Sequence, residues 1–98
     1  MTARKIPGSI TVAIAADHLL ANQYGREVVV LSLRDGVYYG LEDVGARVWT
    51  LLQGPITLRE IQDALVAEYS VEPERCARDV RALVDELLAR GLVELREA

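Results

Sequence analysis

The sequence predicts an α+β fold, and three observations carry the prediction. Strand-like apolar segments fill the first half of the chain, helical spacing of apolar residues fills the second, and residues with turn or cap chemistry separate the segments. Ninety-eight residues suffice for one modest core, so residues 1–98 are expected to form a single domain.

The first expected strand is SITVAIA, residues 9–15, followed by ADHLLANQYG as a loop that ends in Gly25. Residues 28–34 and 37–42 flank Asp35-Gly36, a pair that accepts the positive φ values of a two-residue type I′ turn, so they form a hairpin. Such a turn sets Leu33 opposite Tyr38, Ser32 opposite Tyr39, Leu31 opposite Gly40 and Val30 opposite Leu41. Tyr39 and Leu41 then face the core and Tyr38 faces outward.

Asp43 is placed to cap a helix over 44–53, whose Trp49 belongs to the core and which Gly54-Pro55 ends. The second helix opens with TLRE, residues 57–60, a capping box in which Thr57 and Glu60 satisfy each other's backbone N–H; Ile56 and Ile61 sit at staple positions. It runs to Tyr69. A third helix starts at Pro73 and ends at Arg90, with Gly91 as a left-handed cap and Leu92 folded back on Leu87. The closing GLVEL is extended. Projected at about 100° per residue, Leu83, Cys76, Leu87, Val80, Val84, Ala77 and Leu88 of the third helix cover an arc of about 140°, wider than one neighbour requires.

Charge and composition exclude several classes of function. A net charge of −4 and a pI of about 4.9 gain nothing from counterion release and are repelled by anionic lipid, so neither nucleic acid nor membrane is an expected partner. Arg75, Arg78 and Arg81 lie where a DNA-reading helix would carry contacts, which keeps a winged-helix regulator as an alternative, yet Asp79, Asp85 and Glu86 surround them. One cysteine, Cys76, allows no internal disulfide, and a cytoplasmic location follows as the default. Arg4 and Lys5 before ITVAIAA faintly resemble a signal peptide, but Pro7, Gly8, Ser9 and Thr11 interrupt the apolar run. Cys76 on an apolar arc reads as a buried inert thiol and His18 as a loop residue; neither has a partner that would make a nucleophile or a zinc site. No catalytic group, metal or cofactor is expected.

In a simple meander, residues 37–42 form an outer strand with one row of unpaired N–H and C=O groups. Natural edges are blunted by charge, proline or a cover; VYYGL has no such side chain, Gly40 admits another backbone, and Pro7 precedes the opposite edge strand. An open edge of this kind takes up an extended peptide, main chain to main chain, while a neighbouring pocket selects side chains. The same edge could instead pair with a second copy of the chain, as a homodimeric scaffold.

The order YYGL, GARVW, LLQG followed by T-x-x-E, then Y-S-V and a last helix ending ARGLVE resembles PqqD-like proteins, the peptide-recognition elements of ribosomally made natural-product pathways, over residues 9–95. Within them it most resembles the stand-alone leader-binding proteins of lasso-peptide clusters. The resemblance implies a winged-helix-like α+β fold, a three-stranded antiparallel sheet packed on three helices. It also implies a precursor's leader peptide added antiparallel to Val37, Tyr38, Tyr39, Gly40 and Leu41 of the third strand. Asp79, Val80 and Leu83, with Arg75, Cys76 and Leu87, then line the cleft. The implied partners are a separate cysteine-protease-like leader peptidase and a macrolactam cyclase, with no chemistry performed by the chain itself. Where the family often has Asn after the YxL stretch, this chain has Glu42 and then Asp43, so the helix is expected to begin one residue later.

Overall fold

The computed structural model describes residues 11–97. Five strands and three helices follow one another as β1 (Thr11–Ala15), β2 (Leu19–Tyr24), β3 (Glu27–Ser32), β4 (Tyr38–Glu42), α1 (Val44–Leu51), α2 (Leu58–Glu68), α3 (Pro73–Ala89) and β5 (Val93–Glu97). They make an α+β fold with two sheets: a three-stranded antiparallel sheet in the order β2-β3-β4, and a two-stranded one of β1 with β5.

This corrects the expected meander in two respects. The segment expected as a loop contains β2, which pairs with β3 along its whole length, so the strand carrying YYGL is the fourth in the chain. The first strand leaves that sheet and lies against the C-terminal GLVEL segment, with Thr11 opposite Glu97 and Ala15 opposite Val93. Ser9 and Ile10 of the expected strand, and Pro7 and the basic pair before it, lie outside the described residues.

The hairpin register also differs from the expected one. Leu31 faces Tyr38, Val30 faces Tyr39, Val29 faces Gly40 and Val28 faces Leu41, two residues away from what a two-residue turn dictates. Four residues, Leu33 to Gly36, form the turn instead. The Gly36 N–H donates to the Ser32 carbonyl at 2.8 Å and the Val37 N–H to Asp35 Oδ1 at 3.2 Å, with Gly36 at φ 71. Asp35 thus closes a local turn through its own side chain, a competitor that a two-residue hairpin does not offer. Because side chains alternate with a period of two, a slip of two keeps every residue on its expected face. Tyr39 and Leu41 do turn toward the helices, and Tyr38 is 68% exposed. Leu20, Leu31 and Tyr38 share a row on the opposite, outward face.

The core gathers Val28 and Val30 of β3, Ala46, Val48 and Trp49 of α1, Ile61 and Leu65 of α2, and Cys76, Val80, Val84 and Leu87 of α3, with Leu52, Leu92 and Val93 beside them. The helix ends follow local rules. Thr57 Oγ1 accepts from the Glu60 N–H at 3.0 Å and Glu60 Oε1 from the Thr57 N–H at 2.9 Å, completing the capping box. At the end of α3, Leu92 N–H donates to Leu87 C=O and Gly91 N–H to Leu88 C=O, with Gly91 at φ 73: a Schellman cap. Asp43 occupies the N-cap of α1 as expected, yet its side chain caps nothing; it has φ 51, a conformation that costs a residue with a Cβ. The chain must turn sharply there because the Asp43 N–H is still bound to the Arg26 carbonyl of the sheet, at 2.9 Å, when the helix begins.

Candidate peptide-binding edge and cleft

β4 is, like β2, an outer strand of its sheet, and the direction of its main-chain groups follows from two bonds at its ends. Ser32 N–H donates to Val37 C=O and Asp43 N–H to Arg26 C=O, each at 2.9 Å. Since bonded and non-bonded positions alternate along an antiparallel pair, Val37, Tyr39 and Leu41 direct their main chain at β3, and Tyr38, Gly40 and Glu42 direct theirs outward. Among the described residues no backbone group bonds to those three. A Cβ placed on Gly40 would meet nothing within 4 Å, so the sheet face is open at that residue.

The chain passes from this edge directly into a cleft, a hollow of about 670 Å³. Val44, Gly45 and Val48 of α1 form its first wall, Leu65 of α2 its back, and the connection Tyr69–Glu72 its second wall. Arg75, Cys76, Asp79, Val80 and Leu83 of α3 complete it. Helical spacing explains the last set: residues 76, 80 and 83 share one face, and 75 and 79 border it. Leu41 ties cleft to strand, because its side chain lies 3.9 Å from where a Cβ on Gly45 would stand. At its other end α3 reaches β4 again, with the Arg90 guanidinium 5.5 Å from the centre of the Tyr39 ring.

The cleft is apolar with charge at its mouth. Arg75 Nε and Asp79 Oδ2 are 3.9 Å apart with both side chains about three-quarters exposed (75% and 74%), a loose pair whose members stay available to a ligand. Cys76 is buried; burial first, and the nearby Asp79 carboxylate second, hold its thiol above the ordinary range, so it stays protonated and serves as apolar wall. Of the sequence-expected residues, Arg75, Cys76, Asp79, Val80 and Leu83 come together around the cleft, and Val37 to Leu41 lie along the edge beside it. Leu87 does not line the cleft: it is 2% exposed and packed in the core. The sequence reading missed Val44, Gly45, Val48, Leu65 and the whole 69–72 wall. The non-helical Tyr-Ser-Val-Glu stretch before Pro73 was the one available signal, a connection carrying two large apolar side chains.

No described helix is long and apolar enough to cross a membrane. No curated protein matches the chain. Two solved structures share this architecture. TbiB1, in complex with the TbiA(beta) leader peptide, is 38% identical with a TM-score of 0.79, over 83% of this chain and 94% of that one. A lasso peptide synthetase B1, complexed with the leader peptide, is 27% identical with a TM-score of 0.75, over 84% and 96%. The family model for coenzyme PQQ synthesis protein D (PqqD) matches residues 27–93, which span the open strand, the cleft walls and all three helices, and the chain belongs to the PqqD family.

Proposed function

We propose that this protein binds the leader segment of a ribosomally synthesised precursor peptide and presents it to a separate leader peptidase and a macrolactam cyclase in lasso-peptide biosynthesis, without performing chemistry itself. The observation that carries the reading is the outward main chain of Tyr38, Gly40 and Glu42 adjoining an apolar cleft. That pair of features suits strand addition: main-chain bonds supply affinity whatever the guest's sequence, and the cleft supplies selection. The solved relatives carry leader peptides, which supports the same class of ligand here.

In this reading the leader runs antiparallel to β4, its backbone paired with Tyr38, Gly40 and Glu42, and its apolar side chains fill the space between α1 and α3 against Val80 and Leu83. Arg75 and Asp79 at the mouth choose the register by charge. Leu87 acts only from below, by supporting Leu83. Tethering the precursor beside its enzymes raises its effective concentration and requires no catalytic group on the carrier. The location is the cytoplasm, where precursors are made.

The test is a titration of fluorescein-labelled leader peptides, one from the protein's own gene cluster and the TbiA(beta) leader, read by anisotropy and by amide shifts. Saturable binding that moves the Tyr38, Gly40 and Glu42 amides is the expected result. Binding that leaves those amides unmoved would place the site elsewhere, and no binding of either peptide would end the reading.

A further inference from the structure

Among the described residues, ion pairs are local with one exception. Five join residues two or four apart in sequence. The sixth joins two elements: Arg47 Nε donates to Glu68 Oε1 and Arg47 Nη2 to Glu68 Oε2, both at 2.7 Å, from α1 to the last residue of α2. It is a two-bond fork, the geometry only arginine offers a carboxylate. The pair raises the Arg47 pKa through the Glu68 hydrogen bond and lowers that of Glu68 through Arg47, so both stay charged across neutral pH.

Its place gives it a task. α1 is a partition: Val44, Gly45 and Val48 face the peptide cleft, whereas Asp43, Ala46, Arg47 and Thr50 face a second hollow of about 360 Å³ behind it. Tyr69 borders both hollows. Glu68 immediately precedes Tyr69, the first residue of the second cleft wall. That wall is braced within itself by Val71 N–H on the Tyr69 carbonyl at 2.9 Å and to α2 by Tyr69 N–H on the Leu65 carbonyl at 2.8 Å, and Gln62 Nε2 on the Pro73 carbonyl at 3.1 Å ties α2 to the start of α3. The last turn of α2 holds no basic residue and its cap, Tyr69, is extended. Beside the apolar packing of α1 on Ile61 and Leu65 in the core, the polar link from this end of α2 back to α1 is the Glu68 carboxylate. With side chains 34% and 39% exposed, the pair adds little to global stability, so its consequence is positional.

We infer that Arg47 and Glu68 form a strut behind the cleft that sets the separation of the α1 wall from the 69–72 wall, and with it the width offered to a leader peptide. Both are positioning residues that the peptide never touches. The inference rests on the leader-binding reading and deepens it.

The test uses Arg47→Met, Glu68→Gln, the exchanged pair Arg47→Glu with Glu68→Arg, and Arg59→Gln, which removes an exposed local pair on α2, as a control. Two quantities are read: the 19F resonance of fluorotyrosine at Tyr69 in the free protein, assigned with Tyr69→Phe, and the affinity for the labelled leader peptides. Each single variant is expected to shift or broaden the Tyr69 resonance and weaken binding about tenfold, within the range for residues that alter a site without touching its ligand. The exchanged pair restores the resonance and brings affinity back to within about threefold of the parent, and the control changes neither. If the single variants bind like a parent that does bind, the strut is overturned, whatever the resonance does, and the leader reading stands. If the parent binds neither peptide, the leader reading falls, and an unmoved Tyr69 resonance then overturns the strut as well.

Discussion

In the β1–β5 sheet the outer edge of β1 is used. Ala13 exchanges both main-chain bonds with Ile56, at 2.7 and 3.1 Å, and Ala15 N–H donates to the Leu52 carbonyl at 2.8 Å, so the α1–α2 connection covers that strand. In the β2–β3–β4 sheet the outer edge of β4 bonds to nothing among the described residues, although its side chains are just as compatible with pairing. The joins from strand-like backbone to helix differ in the same sense: Ile56 leads into a helix closed by a full capping box, while Glu42 leads into one whose N-cap residue is strained and caps nothing. The β1 edge is covered by its own chain and the β4 edge is left with donors, acceptors and a loosely terminated helix beside a hollow. Buried backbone groups must be paired, so a covered edge contributes to stability and an open one is available for recognition.

Five substitutions test that contrast. The largest effect is expected from proline at the two edges. Ala13→Pro removes an N–H that is bonded to Ile56 and should cost about 3 kcal/mol in urea unfolding. Gly40→Pro removes an outward N–H and should stay within about 1 kcal/mol of the parent while losing leader binding; an equal loss of stability at both sites would erase the distinction. Next, Leu83→Asp places a charge in the apolar cleft and should weaken leader binding at least about 100-fold with an unchanged circular dichroism spectrum. Thr57→Ala opens the capping box that follows the covered edge and should lower stability by about 1 kcal/mol. The smallest effect is a gain: Asp43→Gly relieves the φ of 51 and should raise stability by about 0.5 kcal/mol, the strain removed being partly offset by the flexibility glycine adds to the unfolded chain.

The sequence alone determined whatever depends on neighbours a few residues apart. The Thr57–Glu60 box and the Gly91–Leu92 cap are closed by bonds spanning three to five residues, so their chemistry is legible in a string of letters. The inward set of Tyr39 and Leu41 was equally readable, because alternation survives a register shift of two. β2 was not: Ala21, Asn22 and Gln23 are poor strand formers, nearly all of that strand is exposed, and it exists through main-chain bonds to β3. The family's features on the chain, YYGL and ARGLVE, pointed to the β4 edge and to α3 but not to the opposite wall. Tertiary structure decided which edge was covered, gave the cleft its 69–72 side, withdrew Leu87 into the core and joined Arg47 to Glu68 across 21 residues. Those outcomes depend on where helices come to rest against a sheet, a quantity set by the whole core at once and by no local pattern of residues.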